Sequence, residues 1–398
     1  MLAATAALAL AAGAMQAAAQ EPVRIGAVAP KTGPMAGGAA VTHWPSVQTW
    51  VEMVNREGGL MVEGERRPVE LIEYDDQTNA GETIRAVQRL ATQDEVDFIV
   101  APYTTGLNIA AAPIFDRYGY PQIAVSAITD QQADLSSKFP GMFFTLGNTS
   151  ALAEDVVAVL GDMREAGQIG DRVAMVNVAD AFGIELAAVA RPLFAEAGFE
   201  IVYDTSYPLG TQDLTPVMTA AKAAEPDAFV AWSYPPDTFA LTEQATIQDL
   251  DVAAFYTAVG TPFPSYGARF GASAEGVLGA GGVNADAQAF REFAALHQEV
   301  TGAAPDFWAS GTTFAAMEIL GQAIEAVGLD RAAVTEHLRE ATFDTILGPI
   351  SFGENNANEA FWTVGQWQDG AFKGVAARGD REGLVAPVAK DGWAADGS

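Results

Sequence analysis

The chain of 398 residues contains no cysteine. Disulfides, thiolate metal sites and a lipid-bearing N-terminal cysteine are thereby excluded. Basic residues are scarce: 21 Lys and Arg face 51 Asp and Glu, a formal net charge of -30. Nucleic acid is not expected as a partner, because phosphate contacts need clustered cations. The acidity reads instead as a solvated, self-repelling surface. Three histidines occur, His43, His297 and His337, with no ligand spacing among them; each reads as a surface helix residue, and no metal is expected. There is no Gly-Lys-Ser/Thr phosphate loop and no Gly-x-Ser-x-Gly elbow. The glycine-rich run 276–282 lacks the third glycine of a dinucleotide site, and no helix is expected directly after it. Catalytic residues and cofactors are therefore both expected to be none.

One apolar run does approach membrane length. Residues 2–19 are almost all Ala, Leu, Gly and Met, and end in an Ala-x-Ala type exit before Gln20-Glu21-Pro22. This reads as the core of a signal peptide over residues 1–20, with the mature chain starting near Gln20 or Glu21. No Lys or Arg precedes Arg24, so the usual basic flank is missing. The run is short, Ala-rich and unflanked, which argues against a membrane anchor. Export to a periplasm, without lipidation, is the expectation. Hydrophobic residues make up 49% of the chain and charged residues 18%, enough to bury large cores in about two domains.

Short apolar strands alternate with amphipathic helices. Strands are expected over 23–29, 69–74, 98–101 and 122–126, and helices over 41–56, 80–93 and 107–118, the last broken by Pro113 or starting around it. The rhythm restarts with helices at 151–166, 184–197, 214–224 and 237–248 and strands at 172–178, 201–207, 228–232 and 253–259. Parallel strands follow, because each strand needs a helical crossover to reach its neighbour. Helices at 285–300, 312–327 and 331–341 then precede strands at 350–352, 361–368 and 372–375, as if the chain returns to finish each unit in turn. The fold class is α/β, with two doubly wound parallel-sheet lobes.

In such sheets ligands bind beyond the carboxyl ends of strands. Here those ends carry aromatics, hydroxyls and glycines, a composition of binding more than of catalysis. The most informative stretch is Phe98-Ile99-Val100-Ala101-Pro102-Tyr103-Thr104-Thr105-Gly106. An apolar run ends in Pro and Tyr, and two hydroxyl residues and a glycine then open a helix. Two readings stand: a plain N-cap, or a carboxylate cradle of hydroxyls and free N–H groups at the positive end of the helix. Asp75-Asp76 likewise offers a hard-cation reading or a strand-end turn with a cap at Thr78 or Asn79, and the turn is preferred.

With these features in place, the chain resembles the type I periplasmic solute-binding proteins of ABC importers, in the branch of the leucine/isoleucine/valine-binding proteins. The resemblance rests on Ile25-Gly26-Ala27-Val28-Ala29-Pro30-Lys31-Thr32-Gly33-Pro34, Val54-Asn55-Arg56-Glu57-Gly58-Gly59-Leu60, Tyr74-Asp75-Asp76-Gln77 and Ala101-Pro102-Tyr103-Thr104-Thr105-Gly106. It continues through Asp180-Ala181-Phe182-Gly183, Leu347-Gly348-Pro349-Ile350-Ser351-Phe352 and Gln366-Trp367-Gln368-Asp369-Gly370. It implies a ligand gripped between two lobes joined by a three-crossing hinge, with crossings expected near 144–148, 275–279 and 348–350. Lobe 1 would then hold 21–146 plus 279–349, and lobe 2 147–278 plus 350–398. It further implies an ABC permease as partner and monomeric action.

By the same resemblance, Thr104 and Thr105 would hold a ligand carboxylate beside Tyr103, with Ser126, Ala127 and Thr129 as a second first-lobe set. Phe182, Trp232, Tyr234, Gly260 and Thr261 would serve from the second lobe. Three departures stand out. No carboxylate occurs in 259–264, where amino-acid binders place a partner for the ligand ammonium, and Asp180 and Asp237 are the available substitutes. Phe182 replaces a Tyr, and Met35-Ala36-Gly37-Gly38 replaces an aromatic-bearing loop. An amino acid is the family default; an apolar or aromatic carboxylate competes, since Tyr103, Phe182, Trp232 and Tyr234 could stack on a ring. A sensor of amides or amino acids on the same fold is the alternative role.

Overall fold

In the computed structural model, which describes residues 21–393, the first lobe begins with β1 (Val23–Ala29), α1 (Ala36–Thr42), α2 (Trp44–Arg56), the hairpin β2 (Leu60–Val62) and β3 (Glu65–Arg67), and β4 (Val69–Asp75). It continues through α3 (Ala80–Thr92), β5 (Phe98–Val100), α4 (Thr105–Tyr118), β6 (Gln122–Ala124), α5 (Gln132–Lys138) and β7 (Met142–Phe144). β4, β1 and β5 form one parallel sheet in that order, and β6 and β7 a parallel pair beside it. Asn79 caps α3 by accepting from Gly81 N and Glu82 N, the turn expected after Asp75-Asp76. α4 runs unbroken through Pro113. An interior proline costs about 3 kcal/mol, and burial of Leu107, Ala111, Ala112 and Phe115 along the same helix offsets it.

The second lobe comprises α6 (Thr149–Glu165), β8 (Arg172–Val178), α7 (Ala181–Glu196), β9 (Glu200–Tyr207), α8 (Thr215–Ala223), β10 (Ala228–Trp232), α9 (Pro235–Gln248), β11 (Ala254–Thr257), α10 (Pro264–Phe270) and β12 (Val277–Ala280). α11 (Gln288–Thr301), α12 (Ala309–Val327), α13 (Arg331–Glu340), β13 (Thr342–Thr345) and β14 (Gly348–Ser351) follow, and α11 and α12 pack on α2 of the first lobe. β15 (Trp362–Gln368) and β16 (Ala371–Ala377) then complete a seven-stranded sheet, β16-β15-β12-β11-β10-β8-β9. Its first five strands in chain order pair in parallel, and β15 and β16 are antiparallel. In each sheet the strand order reverses about its first strand, β1 or β8. The crevice for a ligand lies beyond that reversal.

Sheet membership moves two expected boundaries. The run 277–280, placed partly in lobe 1, is wholly a strand of the second sheet between β11 and β15. The chain leaves that sheet after Ala280, through residues 281–287. β14 pairs with β13, and Ala357 bridges to Phe144, so residues 350–358 stay with the first lobe. The third crossing therefore follows Asn358 rather than lying at 348–350. In both places a strand continues through a glycine, Gly279 in β12 and Gly348 in β14, so the pairing extends past the expected crossing.

Two histidines also depart from expectation. His43 is fully buried at the α1–α2 junction, edge-on to Trp44 and Tyr103, and burial drives its imidazole down to about 3. His297 is buried too, its Nδ1 lying 2.8 Å from the Ala303 carbonyl oxygen, and burial lowers it. Only His337 is half-exposed, edge-on to Phe343. An apolar helix face accepts a neutral imidazole, which composition does not disclose. Among the described residues no cluster suits a metal ion and no helix is long and apolar enough to cross a membrane. The leader read over residues 1–20 lies outside the described residues.

Candidate ligand-binding cleft

The cleft is built where β5 ends in the first lobe and β8 and β10 end in the second. After β5, Thr104 adopts φ +70° and ψ 155°, a region that β-branched residues rarely occupy. Asn108 holds this turn, its Nδ2 donating to the carbonyls of Pro102 at 2.6 Å and Thr104 at 2.8 Å. The Thr104 N–H donates to Ser126 Oγ at 3.0 Å, and Thr104 Oγ1 accepts from Leu107 N at 3.4 Å as the N-cap of α4. The Thr104 and Ser126 side chains line the cleft, so the turn brings two hydroxyl groups to it.

Across the gap, Phe182 opens α7 and Tyr234 caps α9. Their rings stack with centroids 5.0 Å apart and 23° between planes. The Tyr234 hydroxyl donates to Asp180 Oδ2 at 2.9 Å, while Asp180 Oδ1 accepts from Gly183 N at 3.0 Å. Asp237 Oδ2 accepts from Tyr234 N at 3.3 Å. Both carboxylates thus lie behind the aromatic wall with their oxygens engaged. Burial raises Asp180, and burial together with the Asp180 charge lifts Asp237 to about 6 against the Tyr234 N–H hydrogen bond that lowers it. No Lys or Arg pairs with either among the described residues.

Between these walls lies a narrow, mostly apolar cavity of about 30 Å³. Tyr103, Thr104, Ser126, Phe182 and Tyr234 line it, together with Ile128, Leu146, Val259, Trp308 and Ala309. That space holds about two waters, so the lobes must part to admit an organic ligand. A Glu185 latch spans them: its carboxylate accepts from Thr129 Oγ1 at 2.8 Å and from Asp130 N at 2.7 Å. Asp130 in turn accepts from Ser150 N at 2.8 Å and Ser150 Oγ at 2.6 Å.

A family model described as periplasmic binding protein matches residues 22–371. The chain belongs to that family. It is 26% identical over 389 residues to the Leu/Ile/Val-binding protein homolog 7 of Brucella suis, covering 91% of this chain and 92% of that protein. A Streptococcus pneumoniae branched-chain amino acid transporter substrate-binding protein, solved with isoleucine, superimposes with a TM-score of 0.75 at 19% identity, covering 90% of this chain and 99% of that one. A Rhodopseudomonas palustris ABC transporter solute-binding protein, solved with benzoate, gives 0.75 at 17% identity, covering 91% and 99%. These likenesses show the fold.

Within this binding protein, several residues read as cleft residues lie elsewhere. Trp232 still belongs to β10 and is fully buried, edge-on to Tyr256. Thr261 is fully buried, its hydroxyl 2.7 Å from Thr257 Oγ1. Gly260 packs its backbone against Pro235, leaving Val259 to face the cavity. Ala127 belongs to an apolar cluster with Ala124 and Phe144, so Ile128 lines the cavity instead. The Thr105 hydroxyl is spent on Ile128, donating to its carbonyl and accepting from its N–H at 3.1 Å. Thr129 joins the latch. At Ala127 and Gly260 the cause is register: a one-residue slip in a loop swaps the side chain facing the cleft, to Ile128 and Val259. Ile128 and Val259 are aliphatic neighbours of the expected Ala127, Thr129 and Gly260, whereas Leu146 enters from the first crossing. Trp308 lies ahead of the helix expected to start at 312; that helix begins at Ala309, and Asp306, a capping residue ahead of an apolar run, is the sequence signal for the earlier start.

Proposed function

We propose that this chain is the substrate-capturing component of an ABC importer, acting as a periplasmic monomer that delivers its ligand to a permease. Its ligand is a small carboxylate with an apolar, ring-bearing body and no ammonium. One observation carries the ligand class: among the residues lining the cleft there is no carboxylate, because Asp180 and Asp237 are engaged behind Tyr234. A buried ammonium without such a partner loses its hydration uncompensated. The Thr104 turn suits the ligand carboxylate through charge-assisted hydrogen bonds, and Phe182, Tyr234, Tyr103 and Trp308 suit a ring. The Rhodopseudomonas palustris solute-binding protein solved with benzoate fits this reading. Amino-acid capture is the second reading, favoured by the Leu/Ile/Val-binding name of a relative that spans 91% of the chain.

Calorimetric titration of the ligand-stripped protein with 3-phenylpropionate and with phenylalanine separates the two. The expected result is tighter binding of the deaminated acid by about tenfold or more, the worth of one poorly compensated charge. Tighter binding of phenylalanine overturns the proposed ligand class.

A further inference from the structure

The ligand cleft has a neighbour. Between the three crossings lies a second cavity of about 10 Å³, and beyond it an open groove of about 780 Å³ lined by the start of α11, the β13–β14 turn and residues 380–382. Leu146 and Trp308 line both the cleft and the hinge cavity. Val283, Leu347, Trp362 and Arg381 line both the hinge cavity and the groove. The three spaces therefore lie in a row, and the first partition in that row is one indole and one isobutyl group.

Trp308 is a fixed wall. It occupies the N-cap position of α12, whose first turn is held by Asp306, accepting from Ala309 N at 3.2 Å and Ser310 N at 2.5 Å. Ser310 Oγ ties the same turn to the Val41 carbonyl at 3.2 Å. The indole lies flat on the second crossing, where Gly281 has φ +91°; a Cβ there would sit 2.0 Å from Trp308 Cγ. The first and third crossings meet as closely, since a Cβ on Gly147 would sit 2.1 Å from the Phe361 ring.

We propose that Trp308 sets the length of ligand that this cleft accepts, by closing its rear against the hinge cavity. This rests on the reading of the cleft as the ligand site and extends it: the carboxylate end is held at Thr104, and the far end of the ligand stops at the indole. Removing the indole joins cleft and hinge cavity and opens a path for a longer body. Each buried methylene is worth roughly fourfold in affinity, so the gain should grow along a homologous series.

The test compares wild type with Trp308→Ala and Trp308→Phe, using benzoate, phenylacetate, 3-phenylpropionate and 4-phenylbutyrate, and in parallel phenylalanine and 2-amino-4-phenylbutyrate. In Trp308→Ala the affinity ratio of the longest to the shortest acid is expected to rise at least about tenfold, with Trp308→Phe intermediate. The amino-acid pair keeps the two readings apart: if only amino acids bind, the ligand class fails while their length ratio still decides the role of Trp308. A readout free of any carboxylate is xenon binding, because dry cavities on the order of 150 Å³ take up xenon. Trp308→Ala should gain a xenon site that wild type lacks. Unchanged length ratios, or no new xenon site in a variant whose circular dichroism matches wild type, overturns the proposal. Should Trp308→Ala fail to fold, Trp308→Phe alone must shift the ratio toward the longer ligands, and no shift overturns it.

Discussion

The two walls of the cleft are made from opposite materials. The first-lobe wall is a strained turn of small hydroxyl residues, Thr104 and Ser126, in which the Thr104 N–H donates to Ser126 Oγ and Asn108 holds the Thr104 carbonyl. The second-lobe wall is a stacked aromatic pair, Phe182 and Tyr234, with its carboxylates withdrawn behind it. A wall of donors recognises charge, and a wall of rings recognises shape and apolar area. The difference teaches that one lobe can select the head of a ligand while the other selects its body. Closure, the hinge motion for which periplasmic binding proteins are the standard example, then joins the two tests.

The comparison breaks most violently at Tyr234. Tyr234→Ala removes a buried ring and takes the hydroxyl from the Asp180 carboxylate, so the folded state should lose about 3–5 kcal/mol in chemical denaturation. Tyr234→Phe keeps the stack and loses only the hydroxyl, and should cost about 1–3 kcal/mol. Equal losses in the two variants would mean that the ring contributes nothing. On the opposite wall, Thr104→Ala should weaken carboxylate binding by roughly 1–3 kcal/mol, the worth of a hydrogen bond to a charged group. Thr104→Gly should weaken binding as well and yet raise the melting temperature, because a glycine relieves about 1–3 kcal/mol of backbone strain at φ +70°. A lower melting temperature in Thr104→Gly would show that the turn is unstrained.

Asp237 sharpens the contrast through pH. Its folded value of about 6 lies above the ordinary 3.8, so the folded state binds the proton more tightly than the unfolded one. Its contribution is therefore favourable below about pH 4 and is lost as pH rises through about 6, an effect of about 1–3 kcal/mol. Asp237→Asn should flatten that part of the stability profile, and an unchanged profile would place the carboxylate in a wetter site than the one described. The smallest effect is expected at the latch. Glu185→Ala removes the acceptor shared by Thr129 and Asp130 and should weaken every ligand alike by about 1 kcal/mol or less, since a partly exposed contact is screened. A head-group-dependent loss would show that Glu185 touches the ligand.

Much of this architecture was legible in the order of residues. Strands 172–178 and 228–232 fall where the apolar runs placed them, because buried parallel strands need continuous apolar sequence. Tyr103, Thr104, Ser126, Phe182 and Tyr234 reach the cleft because each follows a strand end closely enough for its position to be counted. Trp232 fails by two residues, since the strand carries it through the sheet before the chain turns. The hinge and the rear wall were the hardest to foresee. Trp308 joins the cleft from a helix more than a hundred residues beyond the first-lobe turn, through a crossing whose glycines look like any other linker. Local pattern records which face a residue prefers; it does not record which distant segment will stand against it.

The division of labour is tested most directly by one measurement. The affinity of a matched pair, 3-phenylpropionate and its primary amide, would be measured by calorimetry in wild type, Thr104→Ala and Phe182→Ala. The account predicts that wild type prefers the acid strongly, that Thr104→Ala erodes this preference by about tenfold, and that Phe182→Ala weakens acid and amide alike. An acid-to-amide ratio unchanged in Thr104→Ala, or collapsed in Phe182→Ala, would contradict it.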